Sequence, residues 1–275
     1  STDVMSKVMS GMGQSGLGAG VSGGGGGLPS LSGLTAFGFK GSGGLKGTLY
    51  DLKQTQSKTP TAINAKNLNG AFSVMEDFFT DWDAKRVFEN KNYFKADQSL
   101  SSTQWFIPDM DANKAPEAFQ VAGIVKPTLW FVHYKGKVRP PFSGRFRFVG
   151  RADNLIAVRF DGKNVLVNAL SLPRFDKQFP GTTPYSGAKW SSKSDWINVM
   201  AGRSYDMEVA LSEWGGLFEA VLFVEEEHPK NPYPSGTLPV FQARRDLDIL
   251  PYGSDRVHQP LPAPKNTLIF GASAN

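Results

Sequence analysis

The sequence predicts a mostly β protein, built as a sandwich or barrel of antiparallel strands. Beyond Leu129, apolar and polar residues alternate with a period of two over several short runs, which is typical of half-buried strands. Turn residues separate these runs, as at Asp161-Gly162, where a tight hairpin is expected. No helical pattern alternates with the runs, so a parallel sheet with crossover helices is not expected.

The strand pattern starts at residues 45–52 and resumes at Trp130. Two hairpins are expected, one across Asp161-Gly162 and one across Gly215-Gly216. The predicted strands after the first are residues 130–134, 144–149, 155–160, 163–166, 205–211 and 217–224.

One helix is expected between the first strand and the others. Ser73 and Glu76 have the spacing of a capping box, in which each side chain caps the backbone amide of the other residue. The helix would follow this pair and end near residues 89–92. Its wide apolar face would consist of Met75, Phe78, Phe79, Trp82 and Val87.

Composition divides the chain into three parts. Residues 1–44 form a Met- and Gly-rich tail with a short amphipathic helical pattern at its start. Residues 45–228 form the β domain, with an insertion over about 71–121. Residues 229–275 are Pro-rich and favour an extended arm, and their apolar residues suit packing on the domain or a neighbour.

Charge and motif content exclude several classes of function. The net charge of +5 comes from 30 Lys and Arg against 25 Asp and Glu, a smaller excess than nucleic-acid binders carry. The three histidines are scattered, and neither a zinc-protease motif nor a serine-hydrolase elbow is present, so we do not expect an enzyme. The absence of cysteine is compatible with either a reducing or an oxidising compartment.

Four separated stretches resemble the PA14 domain, a β-sandwich of secreted toxins, glycosidases and yeast adhesins. They occur in the order found in that family and cover roughly Leu45 to Val224. The first two are residues 44–51 and residues 141–148. The third combines Ala152-Asp153-Asn154 with the hairpin turn Asp161-Gly162-Lys163, and the fourth is residues 201–205, which lead into the last strands.

The resemblance implies a calcium site at Asp153 and Asn154. In PA14-like adhesins an acidic pair joined by a cis peptide coordinates calcium, which in turn holds sugar hydroxyls. Here Asn154 replaces the second Asp and Leu155 stands where glycine is common, so one charged ligand is missing. The alternative is a turn held by hydrogen bonds between side chain and backbone, in which case no cofactor is needed.

Two other groups are candidates for ligand binding. Arg145 and Arg147 alternate with Phe146 and Phe148, so one strand face is cationic and suits sulfated glycans or an acidic partner. The alternative is the solvated side of a half-buried sheet. Aromatic residues in turn-rich segments either stack on sugars or anchor loops. Four such residues are present, Tyr185, Trp190, Trp196 and Trp214.

These observations favour a non-catalytic extracytoplasmic structural subunit whose two tails engage other copies or envelope proteins. The alternative is an adhesin-like module that binds carbohydrate or the cell envelope. Either function places the chain outside the cell, at the cell surface or in the periplasm. No run of 18 apolar residues is present, so we expect membrane association only through an anchor upstream of Ser1.

Overall fold

The computed structural model describes residues 33–169, 172, 175, 181–184, 190–234, 237–244, 261–262 and 268–273. Within these residues two antiparallel sheets pack face to face, and a helical layer covers the outer side of one of them. The predicted mostly β sandwich with an inserted helix is therefore confirmed.

The first sheet, called sheet I, contains eight strands. In spatial order they are β2 (Tyr93–Lys95), β1 (Leu45–Thr55), β5 (Trp130–Arg139), β12 (Tyr205–Glu213), β7 (Leu155–Phe160) and β8 (Lys163–Ala169), with β3 (Leu100–Ser102) on β1 and β16 (Gly271–Ser273) on β5.

The second sheet, called sheet II, contains six strands. In spatial order they are β4 (Phe106–Asp111), β13 (Leu217–Glu226), β6 (Gly144–Asp153), β10 (Trp190–Lys193) and β9 (Gly181–Pro184), with β11 (Ile197–Val199) on β6. A separate short parallel pair consists of β14 (Thr237–Leu238) and β15 (Leu261–Pro262).

Both faces of sheet I are covered, which explains its nearly continuous apolar sequence. On β5, Trp130, Val132 and Tyr134 belong to the core between the two sheets, whereas Phe131 belongs to the core beneath the helical layer. A strand that is buried on both faces loses the apolar and polar alternation of a half-exposed strand. Accordingly, all five residues from 130 to 134 are buried.

The helical layer consists mainly of α1 (Leu68–Asp81) and a π-helical turn (Lys85–Glu89). The apolar face predicted from the sequence is buried against sheet I, as expected. The predicted start was wrong, because Asn67 caps the helix by accepting from Gly70 N and Ser73 lies within it. A short helix, α2 (Lys114–Ala118), follows β4. None of the helices in the described part of the chain is long and apolar enough to cross a membrane.

The turn after β12 is not the hairpin that the sequence predicted. β12 pairs with β5 and β7 in sheet I, whereas β13 pairs with β4 and β6 in sheet II, so residues 214–216 carry the chain from one sheet to the other. The hairpin between β7 and β8 is confirmed, with Asp161 and Gly162 both at positive φ (49° and 77°).

The packed core includes residues on both sides of the predicted 45–228 domain. Phe37 is buried between the sheets, where its ring contacts Trp130 and Phe218 at centroid distances of 5.9 and 5.8 Å. On the C-terminal side, Phe241 and Phe270 are buried in the same core. Residues 1–32 of the predicted N-terminal tail lie outside the described residues, as do residues 235–236, 245–260, 263–267 and 274–275 of the C-terminal arm, and the domain boundaries stay a prediction.

Candidate binding site

Two connections between the sheets lie side by side at one end of the sandwich, called the arch end. The first joins β6 to β7 at Asp153-Asn154, and the second joins β12 to β13 through residues 214–216. Asn154 links them, because its backbone N–H donates to Ser212 O (3.4 Å) and its Oδ1 accepts from Trp214 N (2.7 Å). The peptide bond between Asp153 and Asn154 is cis, as the PA14 resemblance implies.

The side chains of Asp153 and Asn154 are held together by a hydrogen bond. A backbone N–H can only donate, so the amide oxygen of Asn154 must face Trp214 and its NH2 group faces the other way. That NH2 group donates to Asp153 Oδ1 at 2.8 Å. The two side chains are therefore tied to each other and, through Asn154, to the neighbouring connection.

This donor set does not fit calcium. Calcium requires six to eight oxygen ligands, and a bound ion would have to displace the amide hydrogens that point at Asp153. Within the ranges that the structure describes, no group of three or more His, Asp or Glu side chains is arranged to hold a metal. We therefore derive no calcium-dependent step from Asp153 and Asn154.

The second connection gives the arch end an apolar rim. Glu213 is fully buried and its Oε1 accepts from Gly215 N (2.6 Å), which fixes the start of the turn. Trp214 packs edge-on against Phe72 of α1, with ring centroids 5.1 Å apart. Leu217 follows the turn and is 54% exposed. Trp214 and Phe72 thus pack on the core beneath α1, whereas Leu217 is exposed at the start of β13.

The structure brings Arg145, Arg147 and Trp196 together on the outer face of sheet II. The guanidinium of Arg147 lies 4.4 Å from the centre of the Trp196 ring and donates to Glu225 Oε2 (2.6 Å). Arg145 donates to Glu227 Oε1 (2.7 Å). Because each arginine faces a glutamate at or just beyond the end of β13, the face is a neutral ladder of ion pairs.

The arginine ladder and Asp153 do not form one site. Arg147 and Asp153 are six residues apart along β6, which corresponds to about 20 Å at the rise of a strand. Tyr185 lies outside the described residues, and so does the side chain of Trp190. The candidate ligand-binding residues whose side chains the structure describes therefore lie in at least two separate places.

A buried polar cluster beneath α1 was not predicted from the sequence. His133 Nε2 lies 3.0 Å from Glu208 Oε1, and Arg159 Nη1 lies 3.2 Å from Glu208 Oε2. Burial acts to raise the pKa of Glu208, but the hydrogen bond with His133 and the nearby charges of Lys135 and Arg159 outweigh it, so the pKa lies below its ordinary value. In the sequence, the indication of this cluster was Glu208, a charged residue within the apolar run of β12.

A second buried ion pair also escaped prediction. Arg151 Nη2 donates to Glu219 Oε1 at 2.5 Å, and the two side chains are only 7% and 0% exposed. Glu219 lies directly opposite Asp153 in the pairing of β13 with β6. The pair therefore links β6 to β13 in sheet II, next to the arch end.

No model of a known protein family matches the sequence, and no curated protein is significantly similar to it. Several solved structures are similar in fold. A PA14 sugar-binding domain from an RTX adhesin shares 13% identity at a TM-score of 0.41, over 73% of this chain and 96% of that one. The epithelial adhesin 6 A domain from Candida glabrata shares 14% identity at a TM-score of 0.40, over 85% and 93%.

An anti-sigma factor domain-containing protein is also similar, with 13% identity and a TM-score of 0.42 over 73% of this chain. The chain spans about half the length of that protein, 46%. The two antiparallel sheets are the sandwich architecture that the resemblance to the PA14 domain implied.

Proposed function

We propose that this chain is a non-catalytic, extracytoplasmic assembly module, in which the terminal segments of a PA14-like sandwich engage neighbouring subunits. One observation carries the proposal: the described parts of both terminal segments are anchored in the core of the sandwich, through Phe37 on one side and Phe270 on the other. The residues before Phe37 therefore start from a fixed point, which suits a segment that reaches a neighbour. After Phe270, strand β16 pairs with β5 of the same chain and holds the C-terminal side on the sandwich.

The polar chemistry of the described residues supports a structural function. The charged residues of the arginine ladder are paired across the strands, and Arg151 is paired with Glu219 in the same way. Asp153 and Asn154 are engaged with each other and with the adjacent turn. Such arrangements stabilise a scaffold, whereas catalysis needs groups that are aimed at a substrate.

The mass of the full chain in solution tests the proposal. Light scattering should give particles larger than a monomer for the full chain, and a monomer for a chain that starts at Gly33. The shortened chain must keep Phe37 and Phe39, because both side chains are buried and their loss would open the core. A chain that starts at Leu45 is therefore a poor test, since it would lose stability as well as the tail.

The outcomes separate the possibilities. A folded Gly33–Asn275 chain that still forms the full-length particle would remove the N-terminal segment from assembly. A full chain that stays monomeric at high concentration would overturn the assembly function as a whole. The melting temperature of the shortened chain serves as the control for folding.

A carbohydrate-binding function is the second candidate, and the arch end favours it. The connection from β12 to β13 carries Trp214 and leads to the exposed Leu217, and the neighbouring connection carries Asp153; sugars combine stacking on apolar faces with hydrogen bonds to carboxylates. Because the Asp153-Asn154 pair does not fit calcium, binding on a glycan array should not depend on this ion. Glycan signals that vanish with a chelator would contradict this form of the proposal, and an array without signals would remove it.

A further inference from the structure

Two exposed apolar residues lie at opposite ends of sheet II. Met200 is 60% exposed and Leu217 is 54% exposed. Met200 follows β11, whose Val199 pairs with Gly144 at the start of β6, whereas Leu217 lies beside the end of β6. Since β6 has ten residues, the two ends are about 30 Å apart.

The end that carries Leu217 is acidic. Asp111 lies directly opposite Leu217 in the pairing of β4 with β13, and Asp109 lies on the same strand two residues earlier. Both aspartates are exposed. Asp109, Asp111 and Leu217 are called the acidic patch below.

Two exposed arginines lie at the end that carries Met200, alongside the ion pairs Arg145–Glu227 and Lys137–Asp206. Arg139 and Arg203 are exposed, and within the part of the chain that the structure describes neither makes an ion pair. The guanidinium of Arg203 lies 5.0 Å from the centre of the Tyr205 ring. Arg139, Met200 and Arg203 are called the basic patch below.

The loop of the basic patch is well anchored. Tyr205 Oη accepts from Met200 N (3.0 Å), Ser143 Oγ accepts from Ala201 N (2.8 Å), and Pro140 O accepts from Gly202 N (3.1 Å). An anchored loop loses little conformational freedom when it docks, so its exposed methionine and arginine can contribute to binding at low entropic cost.

We propose that the acidic patch of one copy binds the basic patch of the next, so that copies associate head to tail. This inference rests on the proposed assembly function and names the surfaces that it uses. Each patch has an exposed apolar residue flanked by charges of one sign, and the two signs are opposite. Because the patches lie at opposite ends, the contact is between different surfaces and generates rows of molecules instead of a closed dimer.

The contact is small, since each patch is a strand end or a loop. Interfaces below about 1,200 Å² are typical of weak association, so a single contact does not hold the assembly alone. The terminal segments add a second link between the same neighbours, and two linked contacts bind far more tightly than either does separately.

Charge reversal in the full chain tests the pairing. Arg203→Glu and Asp111→Lys should each weaken association by roughly tenfold or more in sedimentation velocity, because each places like charges opposite one another. An equimolar mixture of the two variants should recover the association, since the glutamate introduced in one variant then meets the lysine introduced in the other. Lys66→Glu and Asp97→Lys are the matched controls, because both residues are exposed in loops away from the two patches.

Each result decides between the alternatives. If the wild type associates and neither reversal changes it, the pairing of patches is wrong and the assembly function stands. If the reversals weaken association and the mixture does not recover it, the patches bind partners other than each other, and the head-to-tail contact is overturned. A monomeric wild type at every concentration overturns the assembly function and this inference together.

Discussion

Gly47 shows how a single residue sets the fit between β1 and β5. It lies directly opposite Tyr134, and a Cβ atom at position 47 would overlap the Tyr134 ring. That ring is fully buried, and its hydroxyl donates to Phe37 O at 2.8 Å, so it has no space into which it can move. The sequence shows that residue 47 is a glycine, but only the pairing of β1 with β5 explains why a larger side chain is excluded there.

Gly47→Ala should therefore destabilise the fold by about 1–3 kcal/mol, the usual cost of overpacking a well-packed site. Gly271→Ala is the matched control, because a Cβ there meets nothing within 4 Å and the residue also lies in a strand of sheet I. The control should change stability by less than about 0.5 kcal/mol. Urea unfolding measures the free energy of unfolding of both variants. Equal losses of stability would show that the Tyr134 ring can move aside.

The two kinds of arginine on β6 should differ sharply in their contribution to stability. Arg151→Met removes the cation that faces the buried Glu219 carboxylate, and breaking a buried ion pair costs about 3–5 kcal/mol. Arg145→Met breaks a pair whose arginine is 44% exposed, so the loss should be about 0–1 kcal/mol. Guanidinium unfolding compares the two variants, and similar losses would mean that the Arg151 pair is solvated.

At the scale of elements, the cluster around Glu208 joins three strands of sheet I to α1. His133, Glu208 and Arg159 come from β5, β12 and β7, and Arg159 also donates to Asp81 O at the end of α1 (2.6 Å). Phe78 of α1 packs edge-on against the His133 ring at 5.0 Å. The docking of the helix therefore depends partly on the charge of one carboxylate.

This arrangement predicts a loss of stability in acid. The pKa of Glu208 is lower in the folded protein than its ordinary value of 4.5, so its contribution is present above that value and is lost as the pH falls through the folded-state pKa. Urea unfolding from pH 6 downward should show a shallower decline for Glu208→Gln than for the wild type. Asp195→Asn, at an exposed position, is the control. Parallel curves for all three proteins would remove Glu208 as a source of the pH dependence.

The helix and the turns also show what local sequence leaves open. The apolar face of α1 was predictable because it repeats with the helical period, whereas the helix start was not, since Asn67 and Ser73 are both good capping residues. Gly215 and Gly216 indicate a turn, but the same positive φ angles serve a hairpin within one sheet or a connection between two sheets.

At the scale of the whole molecule, thermal unfolding tests whether the fold depends on calcium. The melting temperature should be the same with calcium and with a chelator, because the Asn154 amide already donates to Asp153 Oδ1 and supplies no oxygen ligand there. Asp153→Ala should lower the melting temperature equally under both conditions, since the hydrogen bond from Asn154 that it removes does not involve an ion. A rise on adding calcium that is present in the wild type and absent from Asp153→Ala would establish a metal site.

The sequence by itself determined the fold class, the positions of most strands, the apolar face of α1 and the PA14-like order of motifs. These features depend on neighbours within a few residues, where periodicity and turn chemistry are decisive. Only the tertiary structure decided which strands share a sheet, that Glu225 and Glu227 neutralise Arg147 and Arg145, and that Asn154 turns its amide toward Asp153. Such pairings join residues far apart in sequence, and local patterns carry no information about which of them will meet.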